Sequence, residues 1–263
     1  MIDILEKISS KSINFFIEKN LDDFYTKASE HPNFSSYMDT KISWVLSKYA
    51  NWPDCIFRAN LENYNIEKEI NYIKDQIRKR DAPNGWTVGP LTKPKNLGKS
   101  LERYGFSNVY QQAGMAIELK NIKERKIEKN HLIVEKLDNE ESLKQWSEVV
   151  SQVFGLKVDL DLLKFLFLQN EVCFYLGKFE GKPVSTLMLY LSSGVGGLHA
   201  VSTLPEYRNK GFGLTISRAA LIDAFEMGYR VGVLQASSLG ERVYRKLGFK
   251  KYCDIISYTL VNS

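Results

Sequence analysis

Residues 201–215 read V-S-T-L-P-E-Y-R-N-K-G-F-G-L-T and form the sharpest local feature of the chain. A β-like run passes through a Pro-containing turn into a loop with Gly211 and Gly213, and a helical pattern follows. Such a junction collects unpaired backbone N–H groups, and the helix macrodipole adds partial positive charge, so together they bind anions. Glycine lets the backbone close on a phosphate without a Cβ in the way. Arg208 and Lys210 add formal charge at the same place. The run is neither G-x-x-x-x-G-K-[ST] nor G-x-G-x-x-G, so it is not a P-loop or a dinucleotide fingerprint. A glycine turn with two solvated cations would carry the same letters, and the residues alone leave both readings open.

The elements that must position this loop are legible in the second half. Residues 131–137 alternate like a strand. Residues 139–154 place Leu143, Trp146, Val149, Val150 and Val153 at helical spacing, and a second apolar helix is expected at 160–168. Two β-rich runs, 172–178 and 184–192, are separated by F-E-G-K-P, a hairpin-turn composition. A third run, 197–203, ends at Pro205. A helix over 214–227 follows the loop and stops at Gly228, then a buried strand at 231–235, a short helix at 240–247 and a strand at 255–261. The order β-α-α-β-β-β-α-β-α-β predicts a mixed sheet with helices on its faces.

The end of the first half echoes the end of the second. L-E-R-Y-G-F (101–106) and Y-R-K-L-G-F (244–249) each read as a short helix closed by Gly-Phe, preceded by β-like runs (85–89, 231–235) and followed by others (115–119, 255–261). Val88 to Phe106 spans 18 residues and Val233 to Phe249 spans 16. This points to a diverged internal repeat, hence two α/β (α+β) domains over 1–119 and 131–263, joined by a charged linker at 120–130.

Composition bounds the remaining possibilities. With 263 residues, 44% hydrophobic and 25% charged, the chain can bury a core and is not disordered or of low complexity. The net charge of +5 divides as +1 for 1–119, +3 for 120–130 and +1 for 131–263, so nothing calls for a nucleic-acid partner. Cys55, Cys173 and Cys253 are far apart and form neither a disulfide framework nor a metal-ligand set; a cytoplasmic setting without a bound metal is expected. The early acids argue against a signal peptide, and no run of about 18 apolar residues calls for a membrane.

R-N-K-G-F-G resembles the [Q/R]-x-x-G-x-[G/A] pyrophosphate loop of the GNAT superfamily of acyl-CoA-dependent N-acetyltransferases. It follows the fourth strand of its half and opens the third helix, where that family has it. T-L-P-E-Y-R is similar to the family's V-x-P-x-x-R approach, and Y-R-K-L-G-F to its Y-x-K-x-G-F helix end. Three ordered motifs cover roughly residues 131–260. The resemblance implies two GNAT-like domains, each with a mixed, mostly antiparallel sheet flanked by helices.

It also implies roles. The backbone from Asn209 through Lys210, Gly211 and Phe212 to Gly213, with Arg208, would hold the diphosphate of acetyl-CoA. Val201, Ser202 and Thr203 would pair their backbone with the pantetheine amides, one N–H polarising the thioester carbonyl. Tyr244 is similar to the family tyrosine near the sulfur, and a phenol with a pKa of about 10 suits protonation of a thiolate. Where the family often has an Asn and an Ala, seven and four residues before this tyrosine, the chain has Ser237 and Gly240; Ser237 can still donate one hydrogen bond. No general base stands out: Glu171, His199 and Glu206 lie near the right strands but read first as strand-end or surface residues.

In the first half the corresponding region, R-A-N-L-E-N-Y-N-I-E (58–67), has no glycine and two acids, so a CoA-silent domain packed on the active one is expected. Trp44, Trp52 and Trp86 read as its core or interface, or else as part of an acceptor pocket. The expected function is acetyl transfer from acetyl-CoA to a primary amine of a small molecule or peptide by direct attack, in a monomer or homodimer. The alternative is a non-catalytic CoA-binding or interaction module.

Overall fold

The computed structural model describes residues 3–125 and 129–261. The first half runs α1 (Ile13–Ala28), β1 (Phe34–Met38), β2 (Ser43–Ser47), β3 (Cys55–Phe57), α2 (Ile66–Lys79), β4 (Gly85–Val88), α3 (Leu97–Arg103) and β5 (Phe106–Glu118). The second runs β6 (Ile133–Lys136), α4 (Glu140–Phe154), α5 (Leu160–Phe167), β7 (Val172–Phe179), β8 (Lys182–Ser192), β9 (Val195–Thr203), α6 (Phe212–Glu226), β10 (Val231–Ala236), α7 (Ser238–Leu247) and β11 (Lys250–Leu260). Local chemistry accounts for the helix starts. Asn139 accepts from the Ser142 N–H at 2.9 Å to cap α4, and Asp159 accepts from Asp161 N at 2.9 Å to cap α5. At the other end of α4, Gly155 closes the helix at φ 64°.

These strands form one sheet in the order β1-β2-β3-β4-β11-β5-β10-β9-β8-β7-β6. The order is nearly symmetric about the β11/β5 pair, and the parallel pairings, β3 with β4 and β9 with β10, fall at equivalent distances from it. The sheet is continuous across 119–131 instead of splitting into two. β11, from the second half, pairs with β4 of the first from Ile256↔Val88 to Thr259↔Gly85. β5, from the first half, pairs with β10 from Val231↔Glu118 to Ala236↔Ala113. Each half thus completes its sheet with a strand of the other.

Within the 120–130 joint, Ile122 is fully buried in a short 3-10 turn, packed with Leu119 and Leu221, so this part is anchored; residues 126–128 lie outside the described residues. Trp44 and Trp86 sit in the core of the first half with Ile70, Ile73 and Leu101, and Tyr258 and Leu260 of β11 join them there. Trp146 fills the face beneath α4 and donates its indole N–H to Leu187 O at 3.2 Å. Burial of such a side chain stabilises the fold by about 2–3 kcal/mol. Helix α1 buries Ile13, Ile17, Leu21, Phe24 and Ala28 along one stripe and lies against β5, β8, β9 and β10, which carries it into the second half. Among the described residues, no helix is long and apolar enough to cross a membrane.

Candidate active site

The glycine loop is pinned at both ends. Leu204 and Phe212 pack with Val149 and Val184 in one apolar cluster, and between them Pro205–Tyr207 makes a 3-10 turn. Asn209 (φ 63°) and Gly211 (φ 77°) then take left-handed conformations that turn the chain into α6. The α6 N-cap makes no side-chain hydrogen bond and the first turn holds no acid. Its leading N–H groups are therefore left for another acceptor. A Cβ on Gly213 would meet nothing within 4 Å, so the surface there is open. From outside, Asn130 Nδ2 braces the loop, donating to Lys210 O at 3.0 Å and Thr215 Oγ1 at 2.8 Å. Arg208 donates from Nε to Thr203 O at 3.3 Å, while the Lys210 ammonium rests over the rings of Phe179 (5.0 Å) and Tyr207 (5.5 Å).

Upstream of the loop, β9 and β10 part. They pair only from Gly232↔Gly196 to Leu234↔Leu198. Just beyond, β9 bulges: Thr186 of β8 faces Ser202 and Met188 faces His199, so Ala200 and Val201 together oppose Leu187. Ala200 lies at φ 48°, and Thr186 Oγ1 donates to its carbonyl at 3.0 Å. A bulge takes backbone groups out of the ladder and bends its strand. Here it turns Ala200 and Val201 into a cavity of about 370 Å³. Leu234 to Ser237 form the facing wall, with Gly240 and Tyr244 of α7. The first half closes the cavity, through Leu21, Phe24 and Tyr25 of α1, Trp52, and Tyr110 and Gln112 of β5.

Of the four titratable side chains that line this space, Tyr244 and His199 lie on the side formed by the second half. Tyr244 is 8% exposed and packs edge-on to Phe249; burial raises its pKa well above that of a free phenol, and the neighbouring Ser217 hydroxyl opposes this. Ser217 Oγ itself has no hydrogen-bond partner within normal distance, so that contact is long. His199 is stacked on Phe24 (5.3 Å, 29°) and its pKa is lowered to about 4 by burial. Asn20 of α1 fixes its tautomer. The Asn20 amide nitrogen donates to Tyr190 O (3.1 Å) and Ser192 Oγ (2.8 Å), which turns Oδ1 towards His199 Nε2 at 2.9 Å. Since Oδ1 can only accept, the imidazole proton lies on Nε2 and the Nδ1 lone pair is left free. A Cβ on Gly197 would occupy the Asn20 carboxamide, so this glycine lets α1 approach β9.

The structure brings Val201, Ser237 and Tyr244 to the lining of one cavity, whereas the Arg208–Gly213 loop lies outside that lining, a few residues further along the chain from Val201. Ser202 and Thr203 turn their side chains inward, to Thr186 (2.6 Å) and Ser185 (3.1 Å), and offer only backbone. The side chain of Phe212 is core. Ser237 caps α7, accepting from Gly240 N at 3.1 Å, and keeps its own hydrogen to donate. His199 is no surface residue, whereas Glu206 is exposed and Glu171 pairs with Lys27 at 3.1 Å outside the cavity. Of the tryptophans in the first half, Trp52 alone lines the cavity. Sequence reasoning missed Asn20, Phe24, Tyr110 and Gln112; the 3-4 spacing of Ile13, Ile17, Leu21 and Phe24 was the available signal for α1.

A bulged strand, a splayed parallel pair and an uncapped glycine loop thus lie on one mixed sheet. Residues 134–249 match the acetyltransferase (GNAT) family model, and this part of the chain is a GNAT acetyltransferase domain. No curated protein matches the chain. Among solved structures, a GCN5-related N-acetyltransferase from Kribbella flavida is similar over 98% of each chain at 15% identity, with a TM-score of 0.70. Another, from Sphaerobacter thermophilus, is similar over 95% of this chain and 93% of its own, at 14% identity and a TM-score of 0.62. Both likenesses are of fold, and both extend through the first half as well as the second.

Proposed function

We propose that the second half transfers an acetyl group from acetyl-CoA to a primary amine by direct attack, with no covalent enzyme intermediate. The single observation that carries this reading is that the unladdered segment at Ala200 and Val201 lines one cavity with the buried phenol of Tyr244 and leads, within a few residues along the chain, into an anion-competent loop. The loop suits a diphosphate: its first-turn N–H groups are uncapped, Gly213 leaves room, and Arg208 supplies charge. The backbone of Val201–Thr203 would meet the pantetheine amides, with an N–H of the bulge directed at the thioester oxygen.

As the C–N bond forms, the amine must lose a proton and the departing sulfur must gain one. His199 Nδ1 is the lone pair in the cavity lining that would take this proton, because Nε2–H is committed to Asn20; with the ring held at about 4 by burial, it would relay the proton onward instead of keeping it. Tyr244 lines the cavity as a phenol that is protonated at neutral pH and is the group placed to donate to the thiolate; the burial that raises its pKa works against this transfer. The first half binds no CoA in this reading. Its equivalent helix α2 is capped by Asn65, which accepts from Lys68 N at 3.0 Å, and carries Glu67 and Glu69 in its first turn, where an anion would be repelled.

Thiol release from acetyl-CoA over a panel of amines tests the function. Tyr244→Phe should lower kcat by about 10²-fold with CoA affinity retained. Unchanged turnover would remove Tyr244 from the mechanism. CoA binding without thiol release from any amine would leave a binding module instead of an enzyme.

A further inference from the structure

The acceptor side of the cleft has a definite chemistry. Its walls are Phe24, Tyr25, Trp52, Tyr110 and Phe154, and among the described residues no Asp, Glu, Lys or Arg lines the cavity. The rings are ordered, not scattered. Trp52 packs on Phe24 at 5.4 Å, and Phe24 stacks on His199, so an aromatic surface leads from the mouth to the proton acceptor. At the mouth, Tyr110 and Phe154 are 46% and 47% exposed, apolar area that an occupant would take out of water.

The nearby acids are turned away. On α1, Glu18 accepts from Leu91 N at 2.5 Å, Asp22 faces Arg58 at 3.6 Å and Asp23 is taken by Lys19 and Ser193. None of them lines the cavity. Resting on the acetyl-transfer reading, we propose that the acceptor is a small monoamine with an aromatic or similarly flat apolar body, not a polycation. One ammonium can rest on ring faces before it loses its proton. A second or third charge in the same space would lose water with no carboxylate to replace it. The volume points the same way, since about 370 Å³ must also hold the acyl end of the donor, which leaves room for roughly one ring system.

The test compares kcat/KM for 2-phenylethylamine, hexylamine, spermidine and kanamycin with acetyl-CoA, alongside calorimetric binding of the same amines in the presence of CoA. The expected result is a preference for 2-phenylethylamine over both polycations of at least about 10²-fold, with hexylamine between. Trp52→Ala should raise KM for 2-phenylethylamine by roughly 10-fold, the scale of one aromatic contact, while changing kcat little. Equal or better use of spermidine or kanamycin overturns the acceptor class and leaves acetyl transfer standing. Calorimetric binding of 2-phenylethylamine without turnover overturns the transfer chemistry and leaves the ligand class standing.

Discussion

His199→Gln tests the protonation state of the proposed proton acceptor through stability before any substrate is added. The imidazole has a pKa of about 4 in the fold against 6.5 when free, and burial is the cause. A depressed folded pKa means that the unfolded chain takes up the proton first, so stability is lost as pH falls from about 6.5 towards 4. Each pH unit of that gap is worth ~1.4 kcal/mol. Between pH 7 and about pH 4.5, wild type should therefore lose about 2–3 kcal/mol relative to His199→Gln, whose amide can still donate to Asn20 Oδ1. Subtracting the variant removes the opposite trend of Glu18 and Asp22, which both proteins share. Urea melts at constant m give the difference directly. If the stability of wild type relative to the variant is flat with pH, or falls as pH rises, a buried neutral His199 is refuted. The same reasoning predicts no limb near pH 6.5 in kcat/KM, because an acceptor at about 4 stays unprotonated throughout neutral pH.

Two more perturbations test the rest of the arrangement. Gly213→Asp places a carboxylate in the open space before α6 and should abolish CoA binding in calorimetry while the circular dichroism spectrum stays unchanged; wild type should bind one CoA per chain, and two would return the first half to the cofactor chemistry. Glu18 is held at about 7 by burial against an ordinary 4.5, so its carboxyl costs stability as pH rises through 7. Glu18→Gln, which can still accept from Leu91 N, should stabilise the protein by about 1–3 kcal/mol at pH 8 and by little at pH 4.5, as read from urea melts.

The shape of the glycine loop and the end of the helix that carries Tyr244 were legible because their backbone demands are written in neighbouring letters. Gly211 needs a left-handed φ, Gly213 needs open space, and Gly248 closes α7 at φ 99°, each beside the residues it serves. The strand exchange was not legible. An alternating run such as 255–261 states that it is a strand and says nothing about which strand it lies beside, and its partners Val88 and Gln111 are far away in sequence. The aromatic wall of the cavity was hidden for the same reason. Phe24 and Asn20 look like ordinary helix residues until the continuous sheet brings α1 over β9. His199 read as a strand-end residue because the bulge that turns it inward depends on pairing with Thr186 and Met188, not on its own neighbours.

The shared β5/β11 pair also sets a timetable. As the chain leaves the ribosome, β4 and β5 are complete long before β11, which must come between them. At about 5–20 residues per second, the intervening stretch of roughly 130 residues takes on the order of ten seconds to appear. For that interval the nascent first half holds a gap with open strand edges on both sides, and open edges invite pairing with other chains. The positions that protect the newborn protein are thus the polar ones along β5, Ser107, Asn108, Gln111 and Gln112, which keep that waiting edge wet until its late partner arrives.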